Sequence, residues 1–272
     1  MVIDILMLPK VDYHMHTPLC GHAVGDPEEY AKQALRVGLE EIGFSDHAPL
    51  VTGPDPRYTM SYQELPRYHE NIEKIQKQCR NLRIKIGIEA DFVPGFEAKT
   101  KAILSSYPYD FVIGSIHFID AWAFDDPGQQ IKWKDKNIDA VYRDYYKLLR
   151  LSAKSGLYDI MGHVDLVKKF GHRAGSDLTD DIKDTAKVFK DCGVTVEVNT
   201  SGLRKPVKEI YPSLFVLEIY CKAGVPITFS SDAHDPKDVG RDYDKAAALA
   251  REAGYTEYLV FKRRKVEERA KF

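Results

Sequence analysis

Short runs of apolar and β-branched residues alternate with longer stretches of helical period along the whole chain, the pattern of a parallel α/β sheet or barrel. Strands are expected near 10 to 14, 40 to 46, 84 to 90, 110 to 117, 157 to 163, 194 to 199 and 226 to 231, with an eighth at 257 to 261. The helices between them carry readable ends. Asp26, followed by Pro27, Glu28 and Glu29, has the form of an N-cap with proline at the first helical position, and Gly38 stops that helix. Ser61 and Glu64 form a capping-box pair that opens a helix towards Asn81. Further helices are predicted over 96 to 106, 138 to 154, 179 to 192, 212 to 223 and 242 to 253, the last three followed by Gly193, Gly224 and Gly254. No internal repeat or low-complexity linker divides residues 1 to 272, so one domain is expected. The connections 48 to 62 and 119 to 137 exceed the usual loop length, which fits binding walls or lids as well as solvated insertions.

The strand ends repeat one chemistry. His14/His16 and Asp232/His234 are i, i+2 pairs at the ends of strand-like runs, a spacing that puts both side chains on one face of a strand. Other runs end at His47, Glu89, His117 and His163, and His22 follows shortly after the first strand. Seven of the nine histidines fall in this pattern. A lone histidine after a strand is more often a hydrogen-bonded core or surface residue than a ligand. In an α/β barrel, however, the C-terminal strand ends converge on one face, so these positions would meet in space. The recurrence points to a multinuclear metal site. Imidazole and carboxylate without thiolate suit zinc, manganese or iron. Glu89 offers one oxygen to each of two ions, which at about 4 Å would polarise a phosphoryl oxygen and lower the pKa of a shared water.

Composition changes this picture little. An apolar fraction of 44% with 29% charged residues supports a large core, and the formal charge of −2 gives no reason to expect a nucleic-acid binder. Cys20, Cys79, Cys192 and Cys221 form no CxxC pair, so neither a disulfide framework nor a thiolate zinc site is expected, and all four read as packed small hydrophobes. The start, MVIDILMLPK, lacks a basic leader and is too short for a signal sequence or membrane span, leaving the cytoplasm as the default location.

The motifs DYHMHTPLCGH, GFSDHAPL, GIEADFVPG, IGSIHF, GHVDLVKKF, EVNTSGLRKP and ITFSSDAHDPKDVG occur in that order over residues 11 to 241. Together they closely resemble the polymerase and histidinol phosphatase (PHP) family, and more narrowly its histidinol-phosphatase branch. The resemblance implies a distorted seven-stranded β/α barrel with three divalent ions at the C-terminal strand ends, which leaves the strand at 257 to 261 surplus. It assigns His14, His16, Glu89 and Asp232 to the first ion, with Glu89 bridging to a second held by His117 and His163. His22, His47 and His234 would hold the third. Every expected ligand is present. The implied reaction is hydrolysis of L-histidinol phosphate, a small phosphomonoester, to L-histidinol and inorganic phosphate, with Glu89, Asp232, His234 and Arg204 as catalytic groups.

Arg204 is expected to grip the phosphate with its planar fork, helped by Lys205, with Arg173 as a further candidate. Tyr58, Tyr62, Phe92, Phe118 and Phe124 are candidates to stack on the substrate imidazole, and nearby carboxylates could meet its ammonium group. His69 is expected to be exposed on its helix, His172 to lie near substrate, and Lys262, Arg263, Arg264 and Lys265 to begin a solvated basic helix. Other readings are a PHP-type phosphoesterase acting on a nucleotide, phosphodiester or nucleic-acid end, an amidohydrolase-type barrel, and a non-catalytic metal-binding module. Near-neutral charge disfavours the first, the DxH pair and third-strand glutamate the second, and a phosphate donor beside a complete ligand set the third.

Overall fold

In the computed structural model, which describes residues 7–272, seven parallel strands form a nearly closed barrel with helices between them. The apolar start, Met1 to Leu6, lies outside the described residues. Strands β1 (Val11–Met15), β2 (Glu41–Phe44), β3 (Arg83–Asp91), β4 (Phe111–Ser115), β5 (Ile160–Met161), β6 (Thr195–Asn199) and β7 (Ile227–Ser230) pair in that order. The seam is closed between β1 and the end of β7, where His16 N donates to the Ala233 carbonyl and Ala233 N to the His14 carbonyl, each at 3.0 Å.

Helices α1 (Pro27–Arg36), α2 (Leu65–Gln78), α3 (Glu97–Leu104), α4 (Ile138–Lys154), α5 (Thr179–Cys192), α6 (Leu214–Ala223) and α7 (Tyr243–Glu252) fall where the periodicity puts them. The predicted capping box forms, with Ser61 N donating to Glu64, and the predicted N-cap at Asp26 makes a second box, with Asp26 N donating to Glu29, each at 2.8 Å. Ser61 opens a 3-10 turn over Tyr62–Glu64 before α2 proper, and α2 buries Leu65, Tyr68, His69, Ile72 and Ile75. No helix among the described residues is long and apolar enough to cross a membrane.

Two glycines shape the interior. A Cβ on Gly43 or Gly87 would lie 2.5 Å or 2.3 Å from the Phe111 ring, so β2 and β3 leave the room that Phe111 of β4 fills beside Tyr13. The β1–β2 register shifts between Asp12 and Met15. Such a bulge re-aims side chains, and here consecutive residues both reach buried groups: Tyr13 bonds Glu41, while His14 reaches Glu89 and Glu197. β5 is shorter than the predicted 157 to 163, because the backbone turns at His163 (φ 22°) and its N–H goes to Glu197 instead of a ladder partner.

The surplus strand is resolved as a hairpin outside the barrel sheet. β8 (Glu257–Lys262) pairs antiparallel with β9 (Lys265–Lys271) and buries Tyr258, Leu259, Val260 and Phe261. Phe261 N donates to Tyr13 Oη and Lys10 N to Tyr258 Oη, each at 3.1 Å, and Arg264 pairs with Asp159 at 2.9 Å. Lys10 and Asp159 precede β1 and β5, so the hairpin covers the N-terminal end of the barrel. The predicted basic helix at Lys262 to Lys265 is therefore wrong. Arg263 and Arg264 both take positive φ (49° and 61°), the geometry of a two-residue hairpin turn, and Arg264 is spent on Asp159 and the Leu157 carbonyl.

Beneath the barrel floor, buried Glu41 accepts from Tyr13 and pairs with Arg83 at 2.8 Å and Lys85 at 3.6 Å. Without Glu41, Arg83 turns to solvent and Lys85 keeps Glu267, but the buried Tyr13 hydroxyl loses its acceptor. Glu41→Ala is expected to cost about 1–3 kcal/mol in denaturant unfolding, with the remaining folded protein still binding metal.

Candidate metal centre

All nine predicted ligands meet at the C-terminal end of the barrel, around Glu89. This carboxylate is 1% exposed and its two oxygens face different groups. Oε2 lies 3.2 Å from His14 Nε2, 3.7 Å from His16 Nε2 and 2.9 Å from His47 Nδ1. Oε1 lies 3.0 Å from His163 Nε2 and 3.7 Å from His117 Nε2, and those two ring nitrogens are 3.2 Å apart. Asp232 Oδ1 closes the first group, 3.3 Å from His16 Nε2 and 4.0 Å from His14 Nε2. Ligand atoms of His22, His47 and His234 lie within 4.8 Å of one another and form a third group.

Two of the predicted ligands sit on turns. His163 and Asp232 both have positive φ (22° and 52°), an uncommon conformation for non-glycine residues. Asp232 is held by Ser201 Oγ at 3.0 Å and Asn199 Nδ2 at 3.3 Å, which donate to its other oxygen.

The hydrogen bonds also fix which nitrogen is offered. Nδ1 of His14 meets Glu197 at 2.9 Å, Nδ1 of His16 meets Asp46 at 3.3 Å, and Nδ1 of His117 meets Asp91 at 2.9 Å. His22 Nδ1 faces the Cys20 carbonyl at 3.0 Å. Each arrangement turns Nε2 inward. Among buried polar atoms without a hydrogen-bond partner are His14 Nε2, His16 Nε2 and Glu89 Oε2, converging on one point. Buried polar groups are normally satisfied, and an imidazole–carboxylate set of orphaned acceptors is what a borderline divalent cation requires. The residues present fit such ions.

Charge agrees. Burial pushes the Glu89 and Asp232 carboxyls upward, but the surrounding imidazoles outweigh it and hold both well below the usual range. Burial, then His47 and His16, lower His22 to about 4, a neutral imidazole free to ligate.

Asp46, Asp91 and Glu197 were not singled out in the sequence. Their only signal is position: Asp46 precedes His47, Asp91 follows Glu89 by two, and Glu197 is a carboxylate inside an apolar strand. Glu197 is fully buried and also accepts from Asn199 Nδ2 at 2.7 Å. Carboxylates behind metal-binding histidines orient the ring and raise its basicity. Glu197→Gln is expected to weaken metal binding or activity about 10- to 100-fold, read by competition with a chelating dye.

The centre opens into a cavity of about 620 Å³. The long connections form its walls: Leu50, Tyr58 and Thr59 from one, Ala123, Asp125 and Asp126 from the other. Of the aromatic candidates, Tyr58 and Phe118 line it. Phe92 and Phe124 are buried in the core, and Tyr62 is exposed outside the cavity.

The basic candidates need correction. Arg204 does not line the cavity; its guanidinium donates to the Ser231 carbonyl at 2.5 Å and the Thr200 carbonyl at 3.5 Å, and faces Asp238 at 3.4 Å. It braces the backbone before Asp232. The next residue, Lys205, faces the cavity together with Lys169. Burial first, then Lys169, lower the Lys205 pKa, and no ion pair holds it among the described residues. Arg173 also lies outside the cavity, paired with Glu209. His69 is not exposed: it is buried and stacked on Tyr107 at 3.8 Å, and burial lowers its pKa to about 4. His172 stacks on Trp133 at 4.5 Å, away from the cavity lining. Cys20 is buried against the centre, its sulfur within 4.8 Å of ligand atoms of His16 and His234, while Cys192 is exposed and unpaired.

Comparison with known proteins fits this geometry. The PHP domain family matches residues 12–201. A Deinococcus radiodurans protein named a probable histidinol-phosphatase is 38% identical over 94% of this chain and 98% of its own. The Bacillus subtilis histidinol-phosphatase is 33% identical over 87% of this chain and 98% of its own. The crystal structure of the Lactococcus lactis histidinol phosphate phosphatase, bound to zinc, L-histidinol and phosphate, superposes with a TM-score of 0.82 at 25% identity, covering 96% of this chain and all of the other.

Proposed function

Because the chain belongs to the PHP domain family, we propose that it hydrolyses L-histidinol phosphate to L-histidinol and inorganic phosphate, a step of histidine biosynthesis, with residues 1–272 acting as one barrel domain. The observation that carries this reading is the convergence of seven imidazoles and two carboxylates on a cavity with the Lys205 ammonium, which has no ion-pair partner among the described residues, at its wall. Three divalent ions of zinc, manganese or iron are assigned to the groups around Glu89 Oε2, around Glu89 Oε1 and around His22. When bound, such ions polarise the phosphoryl group and supply a nucleophilic water at neutral pH.

The chain's own residues do the rest. His14, His16 and Asp232 hold one side of Glu89, and His117 and His163 the other, so the carboxylate fixes the spacing of two sites. Glu197, Asp46 and Asp91 keep the His14, His16 and His117 rings from rotating. Lys205 and Lys169 face the entering phosphate dianion. An unpaired, partly buried ammonium regains a counter-charge when that anion binds. Arg204 acts indirectly by holding the Ser231 carbonyl. The phosphorus–oxygen bond to histidinol breaks, one water is consumed, and the alcohol and phosphate depart. Exposed, unpaired Cys192 fits a reducing compartment, and we place the protein in the cytoplasm.

The test is metal-loaded protein assayed for phosphate release from L-histidinol phosphate, generic phosphomonoesters and single-stranded DNA. A clear kcat/KM preference for histidinol phosphate supports the reading, and equal turnover of all three removes it. Lys205→Ala is expected to raise KM and lower kcat/KM about 10- to 100-fold at unchanged metal content.

A further inference from the structure

The cavity carries a carboxylate that the metal centre does not use. Asp91 serves His117, and Asp125 is paired with Lys169 at 3.0 Å. Asp126 differs. It is 8% exposed, lines the cavity, and has no cationic partner within ion-pair distance among the described residues. Its Oδ1 accepts from Gly128 N at 2.7 Å, capping the 3-10 run Pro127–Asp135. The nearby cation Arg57 is committed to Asp55 by bonds of 2.9 Å and 2.7 Å and lies over the Tyr58 ring, 5.0 Å from its centroid. Burial and then Asp126 itself raise the Tyr58 phenol pKa, so the ring's polar edge sits beside this carboxylate. A largely buried carboxylate without a counter-ion is costly unless a cation arrives.

We propose that Asp126, with Tyr58 beside it, is the specificity site for the cationic end of the substrate: the carboxylate takes the primary ammonium while the aromatic wall of Tyr58 and Phe118 faces the imidazole. This rests on the function proposed above and deepens it. The two poles of the cavity then match the two poles of the substrate. Lys169 and Lys205 meet the phosphate, and Asp126 meets the amine. Asp125 cannot substitute, because Lys169 already neutralises it. Phosphomonoesters without the amine leave Asp126 unpaired in the complex and are disfavoured for that reason.

The experiment compares wild-type and Asp126→Asn holoenzymes on three esters: L-histidinol phosphate, its analogue lacking the amine, and 4-nitrophenyl phosphate. Asparagine keeps the cap on Gly128. The wild type is expected to prefer histidinol phosphate over the analogue by about 10- to 100-fold in kcat/KM, the worth of one charge-assisted hydrogen bond. Asp126→Asn should remove that preference, mainly through KM, and raise the inhibition constant of L-histidinol by a similar factor while that of inorganic phosphate moves little. Should the variant fold poorly, the wild-type comparison with the amine-free analogue decides alone. Equal wild-type turnover of both esters, or an unchanged preference in the variant, overturns the Asp126 assignment. A wild type that ignores histidinol phosphate but cleaves 4-nitrophenyl phosphate overturns the underlying function instead.

Discussion

Glu89→Gln is expected to lower kcat on histidinol phosphate by at least about 10³-fold, the upper end of what one electrostatic group supplies, and to reduce the bound metal. The two effects have one cause. Glu89 Oε2 faces His14, His16 and His47, and Oε1 faces His117 and His163. An amide keeps the size but offers one oxygen; its NH₂ turns donor hydrogens towards nitrogens that must themselves donate electron pairs. Ser115 Oγ, 2.5 Å from Oε1, selects which half of the amide points where and cannot satisfy both sides. Burial alone would favour a neutral group here, yet the imidazoles keep Glu89 ionised, so the substitution also deletes a charge that the ions need. Steady-state kinetics with elemental analysis on the same preparation checks this. Near wild-type turnover with a full complement of metal would remove Glu89 from the centre.

Chelation is expected to abolish activity and to lower the unfolding temperature on the order of 10 °C for each tightly held ion, since a ligand at 1,000 times its Kd stabilises the native state by about 4 kcal/mol. The size follows from what the ligands join. Residues from the ends of β1, β3, β4, β5 and β7 share the centre, so ions bound there would cross-link most of the barrel rim. Without them, Glu89 and Asp232 remain as buried negative charges balanced only by protonated rings. Calorimetry before and after chelation, followed by stepwise return of zinc, manganese and iron, measures both effects and identifies the ion that restores turnover. Full activity in metal-free protein would end the proposal.

The convergence of the nine candidate residues was legible in the sequence because strand ends are where a barrel gathers side chains, and histidine or a carboxylate recurred there strand after strand. The helices were legible through their caps, as at Asp26 and Ser61. Other features depended on facts that spacing does not carry. Arg204 and Lys205 are neighbours at the end of one 3-10 turn, and only the fold decides that the first turns onto Ser231 and the second into the cavity. His69 looked polar on a polar-faced helix, but the Tyr107 ring covers it. Asp46, Asp91 and Glu197 were hidden because a carboxylate behind a ligand resembles any polar residue until the ring it touches is placed. The stretch after Phe261 read as helical because four successive basic residues suit a solvated helix, whereas two positive φ angles make it a turn.

The hairpin under the barrel has a consequence for synthesis of the chain. Its residues, 257 to 271, follow all seven barrel strands in the chain, yet they bond Lys10, just before the first of those strands, and Tyr13 within it. While a ribosome still holds this segment, the underside of the nascent barrel is uncovered, and Tyr13, Phe111 and Phe229 face water or a chaperone. Sealing of the barrel thus waits until a segment that follows all seven strands has left the ribosome and folded back beneath them.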